Sequence, residues 1–151
     1  MAPIASPMQA ALAEARAAAD RGETPVGAVI VDPATGAIVT RASNRPRELS
    51  DPTAHAEILA IRAACAALGS ERLPGFDLYV TLEPCAMCAA AISFARLRRL
   101  YYGAADPKGG AVDNGPRFYA QPTCHHAPEV YGGIEERAAA DLLKTFFAAR
   151  R

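Results

Sequence analysis

No run of this sequence approaches the ~20 consecutive apolar residues that a membrane-crossing helix needs, so no bilayer span is expected. The first eight residues lack the basic start and apolar block of a secretory leader, and a cytoplasmic location is the expectation. No internal repeat, low-complexity tail or linker is visible, which leaves 1–151 as one expected domain. Net charge is absent as well, with 16 basic residues against 16 acidic ones. A strongly basic chain would point to nucleic acid directly; here any such binding must use a local patch. Lysine is scarce, Lys108 and Lys144 being the only two, so arginine carries the positive charge. Arginine suits bidentate phosphate contacts, but the bias by itself selects no partner. Cysteine is limited to Cys65, Cys85, Cys88 and Cys124. In a reducing compartment these stay thiols, and a close pair then favours metal binding or redox chemistry over a structural disulfide. What remains is ordinary, with 51% apolar and 21% charged residues, a composition and length that can bury one core unaided.

The chain reads as alternating helices and strands. Ser6 can cap a first alanine-rich helix, Pro7 suits its first turn and Gly22 ends it, with Leu12 and its alanine neighbours as the buried stripe. Segments 26–31 and 37–40 read as strands joined by the turn Asp32-Pro33-Ala34-Thr35-Gly36, an antiparallel hairpin. A polar loop over 41–52 leads to a helix over 53–68, stopped by Gly69. A strand over 77–82, a helix over 84–96 and a strand over 97–102 follow. A long Gly- and Pro-containing segment spans 103–128, and a helix over 134–150 closes the chain, its buried face drawn from Ile134, Ala138, Leu142, Leu143, Phe146 and Phe147. Strand–helix–strand units favour parallel neighbours, so the expected architecture is a three-layer α/β/α sandwich on a mixed central sheet. The order of strands in that sheet does not follow from this pattern.

Two short motifs carry chemistry. His55-Ala56-Glu57 opens one helix and Pro84-Cys85-Ala86-Met87-Cys88 opens another about thirty residues later. Cys85 and Cys88 are three apart, which puts both sulfurs on one face of a first helical turn. The partial positive charge of a helix N-terminus favours thiolates, the form that binds zinc. His55 adds a third, neutral ligand. Three protein ligands leave a fourth tetrahedral position for water, the pattern of a catalytic zinc. Glu57, two residues from His55, is placed to handle the proton of that water. Read singly, His-x-Glu is a helix start and Cys-x-x-Cys a redox motif. Together, with the proline before Cys85, they form the signature of zinc nucleobase deaminases, in which the glutamate is acid/base and not a ligand. A structural zinc would need a fourth protein ligand, for which Cys124, His125 or His126 is available, and Cys124-His125-His126 could also hold a second metal. Cys65, among alanines, reads as core.

The agreement extends along nearly the whole chain. Thr24-Pro25-Val26-Gly27-Ala28-Val29, Asn44-Arg45-Pro46, Asp51-Pro52-Thr53-Ala54-His55-Ala56-Glu57, Leu78-Tyr79-Val80-Thr81-Leu82-Glu83-Pro84-Cys85-Ala86-Met87-Cys88 and Tyr102-Gly103-Ala104 together resemble the bacterial tRNA-specific adenosine deaminases of the cytidine deaminase-like superfamily. The resemblance implies a cytidine deaminase-like fold, a homodimer and one Zn2+ per subunit. It implies conversion of adenosine to inosine at the wobble position of an arginine tRNA, with the anticodon stem-loop as partner and the target base extruded into the zinc pocket. It makes Asn44, which otherwise reads as a turn asparagine, the residue that hydrogen-bonds the nucleoside. It makes Val26 and Ala54 pocket-lining and Glu83 structural. Asp106 and Lys108 fall in the segment that meets the anticodon loop. Of Phe146 and Phe147, one packs in the core and the other, Phe147, faces the RNA. Arg150 and Arg151 are phosphate candidates, and Arg96, Arg98 and Arg99 form the densest basic cluster, open to a solvated, dimer-edge or RNA role. Segment 112–126 departs most from the family pattern.

The implied reaction is hydrolysis at C6 of adenine, with Glu57 passing protons to the ring nitrogen and the departing amine. Two other readings compete. A small-molecule deaminase of guanine or cytosine would share the zinc motif but not Asn44-Arg45-Pro46 or the Phe146-Phe147 helix. A non-catalytic RNA-binding subunit on the same fold would be expected to lack Glu57, which is present.

Overall fold

The structure is a computed structural model that describes residues 6–150. Helix α1 (Pro7–Asp20) starts as the sequence dictates, with the Ser6 hydroxyl accepting the Gln9 N–H at 3.2 Å and proline in the first turn. Met8, Ala11, Leu12, Ala15 and Ala18 make its buried stripe. Small residues there let strand β1 (Gly27–Asp32) approach closely. Gly27 is required at that contact, because a Cβ would lie 2.0 Å from the Ala11 carbonyl oxygen. Along β1 the side chains alternate between two cores: Ala28 and Ile30 pack on one face of the sheet, Val29 and Val31 on the other.

Strand β2 (Ala37–Ser43), helix α2 (Ala56–Leu68), strand β3 (Asp77–Leu82), helix α3 (Ala86–Phe94), strand β4 (Arg99–Ala104), strand β5 (Glu129–Tyr131) and helix α4 (Glu136–Ala148) complete the element order. The sheet runs β2-β1-β3-β4-β5. β1 is antiparallel to both β2 and β3, while β3, β4 and β5 are parallel. Helices α1 and α4 pack on one face and touch each other; α2 and α3 pair on the other. This is the expected three-layer sandwich on a mixed sheet.

Several boundaries differ from the sequence expectation: β2 runs on to Ser43 and β4 to Ala104, and other element ends shift for local reasons. Helix α2 begins at Ala56 and not at 53, because Asp51 takes the Thr53 N–H at 2.8 Å and its hydroxyl at 2.7 Å in a turn that makes His55 the N-cap. Helix α3 ends at Phe94, where Arg96 turns left-handed at φ 59°, and β4 starts at Arg99. The last helix starts at Glu136, since Ile134 instead gives its N–H to the Tyr102 carbonyl at 3.1 Å. Strand β5 was not expected. Its three residues are too short to show a period, and its place is set by pairing with β4.

Candidate active site

The carboxyl ends of β3 and β4 and the first turns of α2 and α3 converge at one edge of the sheet. Open α/β sheets place their ligand sites at such an edge. His55 and Cys85 are the N-cap residues of α2 and α3, both in extended conformation and neither using its side chain to cap its own helix. Their side chains are therefore free to point at each other. The capping of α2 is done from twelve residues away, by Asn44, whose Oδ1 accepts the Ala56 N–H at 2.8 Å.

His55 Nδ1 lies 3.6 Å from Cys85 Sγ and 3.4 Å from Cys88 Sγ, and the three donor atoms lie within 4.8 Å of one another. Zinc–nitrogen and zinc–sulfur bonds of ordinary length at a tetrahedral angle separate N and S by about 3.6 Å. One imidazole and two sulfurs at this spacing fit zinc, and among the described residues this is the one such cluster. The Cys88 thiol and backbone N–H both point to Cys85 Sγ. With His55 beside it they hold the Cys85 thiol down to about 4, while the Cys88 thiol is driven up. Cys88 is fully buried, and His55 and Cys85 are partly exposed to a cavity of about 310 Å³.

Glu57 lines the same cavity and is itself buried. Burial pushes its carboxyl up to about 7, within reach of both protonation states near neutrality. The rest of the cavity lining is Thr24, Val26, Asn44, Pro46, Leu82, Glu83, Asp106 and Gly109. Val26 and Asn44 thus line the cavity as expected. Ala54 does not: it is completely buried, its N–H bound to the Asp51 carbonyl and its own carbonyl to the Arg45 N–H, which holds it outside the cavity lining.

The cavity opens into a groove that shares Thr24, Leu82, Asp106 and Gly109 with it and continues past Lys108 and Leu143 to Phe147. Lys144 lines a neighbouring depression that shares Leu143 and Phe147 with this groove. Phe147 is half exposed, while Phe146 is buried beneath the Arg150 guanidinium, 3.5 Å above its ring. Arg150 is thereby held against its own helix. Arg151 lies outside the described residues. Within the basic cluster, Arg98 is bound to Asp77 through two hydrogen bonds and Arg99 to Glu129, which makes them sheet-edge ion pairs and not a free patch.

The second-metal reading of Cys124-His125-His126 is not supported among the described residues. His126 is hydrogen-bonded to the Leu97 carbonyl at 2.7 Å and the Cys124 thiol donates to the His126 carbonyl at 3.2 Å, so both serve the loop. Cys65 packs partly buried against the core.

Two buried carboxylates hold the walls. Glu83 accepts the N–H groups of Asp106, Val112, Asp113 and Asn114 and the Asn114 side-chain amide, at 2.7 to 3.1 Å. Burial raises its carboxyl, but these donors more than offset that and hold it below its ordinary value. A structural role is what the sequence suggested, although the loop it binds was not foreseen. Glu23, unnoticed in the sequence, accepts the N–H groups of Arg47 and Glu48 at 3.2 and 2.8 Å. The one signal for it was an acidic residue just past a helix-ending glycine.

A fold of this kind with one imidazole, two sulfurs and a buried glutamate around a base-sized cavity defines a hydrolytic deaminase site. The cytidine and deoxycytidylate deaminase zinc-binding region matches residues 2–104. A tRNA-specific adenosine deaminase of Agrobacterium fabrum is 65% identical over 95% of this chain and 93% of its own. A solved structure of a tRNA:A34 deaminase, from work on A-to-I editing at the wobble position, superposes with a TM-score of 0.88 at 66% identity, covering 91% of this chain and 98% of that one. A guanine deaminase from Bacillus subtilis is more distant, with a TM-score of 0.63 at 32% identity over 95% of this chain and 91% of that one. The chain belongs to the cytidine and deoxycytidylate deaminase zinc-binding family, and zinc is its cofactor.

Proposed function

We propose that this chain hydrolyses adenosine to inosine at the wobble position of a tRNA, with the arginine tRNA anticodon stem-loop as substrate. His55, Cys85 and Cys88 hold one zinc, and Glu57 is the catalytic acid/base. The observation that carries the reading is the continuity of the base-sized cavity with a groove bordered by Lys108 and the half-exposed ring of Phe147, with Lys144 in the depression next to it. A free base needs only the cavity; a nucleotide within RNA needs room for its neighbours, positive charge for their phosphates and a ring on which a base can stack. The similarity to tRNA-specific adenosine deaminases supports the same substrate.

When bound, zinc acts as a Lewis acid that acidifies water. The protein's own part is proton handling and placement. Glu57 accepts a proton from the attacking water and delivers it to the ring nitrogen next to C6. The water oxygen bonds to C6 as the ring nitrogen is protonated; Glu57 then takes the remaining proton from the new C6 hydroxyl and gives it to the exocyclic amine, so that the bond from C6 to that amine breaks, ammonia leaves and C6=O forms. Asn44 orients the nucleoside from the cavity lining, Val26 packs against the base, and Asp106, Lys108 and Phe147 engage the flanking nucleotides. Burial of Glu57 serves this shuttle, because a carboxyl near pH 7 both takes and returns a proton readily.

Incubation with unmodified arginine tRNA bearing a wobble adenosine, followed by sequencing for inosine, tests the reading. Conversion at that one position, abolished by Glu57→Ala, is expected. Ammonia released from free guanine or cytosine, with tRNA untouched, would move the substrate to the small-molecule class. The reading also includes a homodimer working in the cytoplasm. Sedimentation of the holoenzyme at a mass of two chains checks it. No helix among the described residues is long and apolar enough to cross a membrane.

A further inference from the structure

Asn44 and Pro46 line the cavity, and the next residues of the same loop, Arg47 and Glu48, border a second, open cleft of about 550 Å³ together with Arg21 and Glu23. A loop that borders two open spaces keeps its position only if something holds it. Asn44 itself is fixed at its edges, by its N–H to the Val26 carbonyl at 3.1 Å and its Oδ1 to Ala56. What spans the cleft comes from the end of α1. The Arg21 guanidinium donates to the Ser43 hydroxyl at 2.8 Å and to the Asn44 carbonyl at 3.2 Å. Glu23, 2% exposed, uses one carboxylate oxygen for the Arg47 N–H and the other for the Glu48 N–H. Glu23 is in turn held by its own N–H to the Ala18 carbonyl at 2.9 Å.

We infer that Glu23 and Arg21 are positioning residues for substrate: they set the distance of the Asn44–Pro46 wall from the zinc-side wall and so govern how tightly the target nucleoside is held. Neither lines the cavity, and neither touches the reacting atoms. Glu23 suits the task because a carboxylate presents two acceptors to two successive N–H groups, which fixes both the place and the tilt of the backbone. Glutamine keeps one acceptor and turns an amide N–H2 toward the other N–H. Alanine removes both acceptors and leaves two donors facing the cleft. The loss falls mainly on binding, because none of His55, Glu57, Cys85 and Cys88 lies on this loop, which reaches them only through the Asn44 and Arg45 bonds on either side of His55.

The inference rests on the adenosine-in-RNA reading, so the assay is run with whichever substrate the wild-type holoenzyme turns over. Absence of wild-type activity on RNA refutes that reading alone, and guanine or cytosine then replaces RNA in the same comparison. Steady-state kinetics of zinc-loaded Glu23→Ala, Glu23→Gln and Arg21→Ala are expected to show KM raised about tenfold for Glu23→Ala, and less for the other two. Throughout, kcat stays within about threefold and zinc content at one per chain. Asn44→Asp, which keeps the acceptor for the Ala56 N–H, is combined with Glu23→Ala in a double-mutant cycle. If Glu23 acts through the wall, the two effects on kcat/KM are non-additive. Additive effects, an unchanged KM, or a fall confined to kcat overturns the inference. If Glu23→Ala does not fold, Arg21→Ala and Glu23→Gln decide it by the same readouts.

Discussion

Replacing Glu83 should loosen the loop that carries Asp106 and Lys108. Five N–H groups converge on this one carboxylate, four of them backbone donors from 106 and 112–114. Hydrogen bonds to a charged acceptor are each worth about 1.5–3 kcal/mol, and a donor left unpaired in a buried place costs about 1–3 kcal/mol. Val112 N–H is buried and the others are only partly so, so water recovers some of the loss. Counting about 1 kcal/mol for each of the four backbone donors after that recovery, with the Asn114 side-chain amide free to turn to water, gives about 4 kcal/mol for Glu83→Ala. Glu83→Gln keeps one acceptor oxygen and should cost about half. For a chain of this size about 2–4 °C of Tm goes with each kcal/mol, so Glu83→Ala should melt about 8–16 °C lower. Thermal unfolding followed by circular dichroism reads the shift, and amide exchange should quicken first at 106 and 112–114. Gly110→Ala offers an independent route to the same state, because a Cβ there would sit 2.5 Å from the Glu83 carboxyl carbon and push it off its donors. A Tm loss below about 2 °C for Glu83→Ala, with exchange of those amides unchanged, would show that the loop supports itself and that the carboxylate is incidental.

Glu57→Gln should keep one zinc per chain and lose about 10²–10⁴-fold in kcat, measured by inosine formation beside metal analysis; near-normal turnover would remove Glu57 from the proton path. Cys88→Ala should lose the metal, and full zinc content after dialysis would contradict the ligand set. Phe146→Ala should cost about 3 kcal/mol of stability because that ring is buried, whereas Phe147→Ala should leave Tm within about 2 °C and raise KM for the stem-loop. The reverse pattern would mean that the two rings have exchanged roles. Gly27→Ala forces a methyl into the Ala11 carbonyl, and a destabilisation of about 1–3 kcal/mol or more is expected in denaturant unfolding.

The chemical half of this site was legible in the sequence because it is local. His55 and Glu57 lie two residues apart, Cys85 and Cys88 three, and each pair sits at a strand or loop to helix junction that proline and capping chemistry announce. Only the meeting of the two junctions is a long-range fact, and the pairing of β3 with β1 supplies it. The supporting half was not legible in the same way. Glu23 and Glu83 act on backbone N–H groups, which every residue except proline carries, so the partner segments leave no mark in the sequence. Ala54 shows the converse error. It lies within a motif whose neighbours line the cavity, yet one turn at Asp51 holds it out of the lining.

The basic residues make the same point about charge. Arg96, Arg98 and Arg99 form the densest run in the sequence, but cross-strand neighbours at Asp77 and Glu129 neutralise two of the three. The chain's two lysines, 36 positions apart in the sequence, line adjoining depressions that share Leu143 and Phe147. Charge density along the chain therefore points to a different face from the groove proposed for RNA. Salt titration separates the two: if the groove binds phosphate, Lys108→Ala and Lys144→Ala should each flatten the dependence of log KM on log salt. Arg98→Ala should instead leave the slope unchanged and lower stability by about 1–3 kcal/mol, because it takes two hydrogen bonds from Asp77, whose side chain is only 4% exposed. An altered slope for Arg98→Ala, with none for the lysines, would move the RNA to the sheet edge and away from the groove.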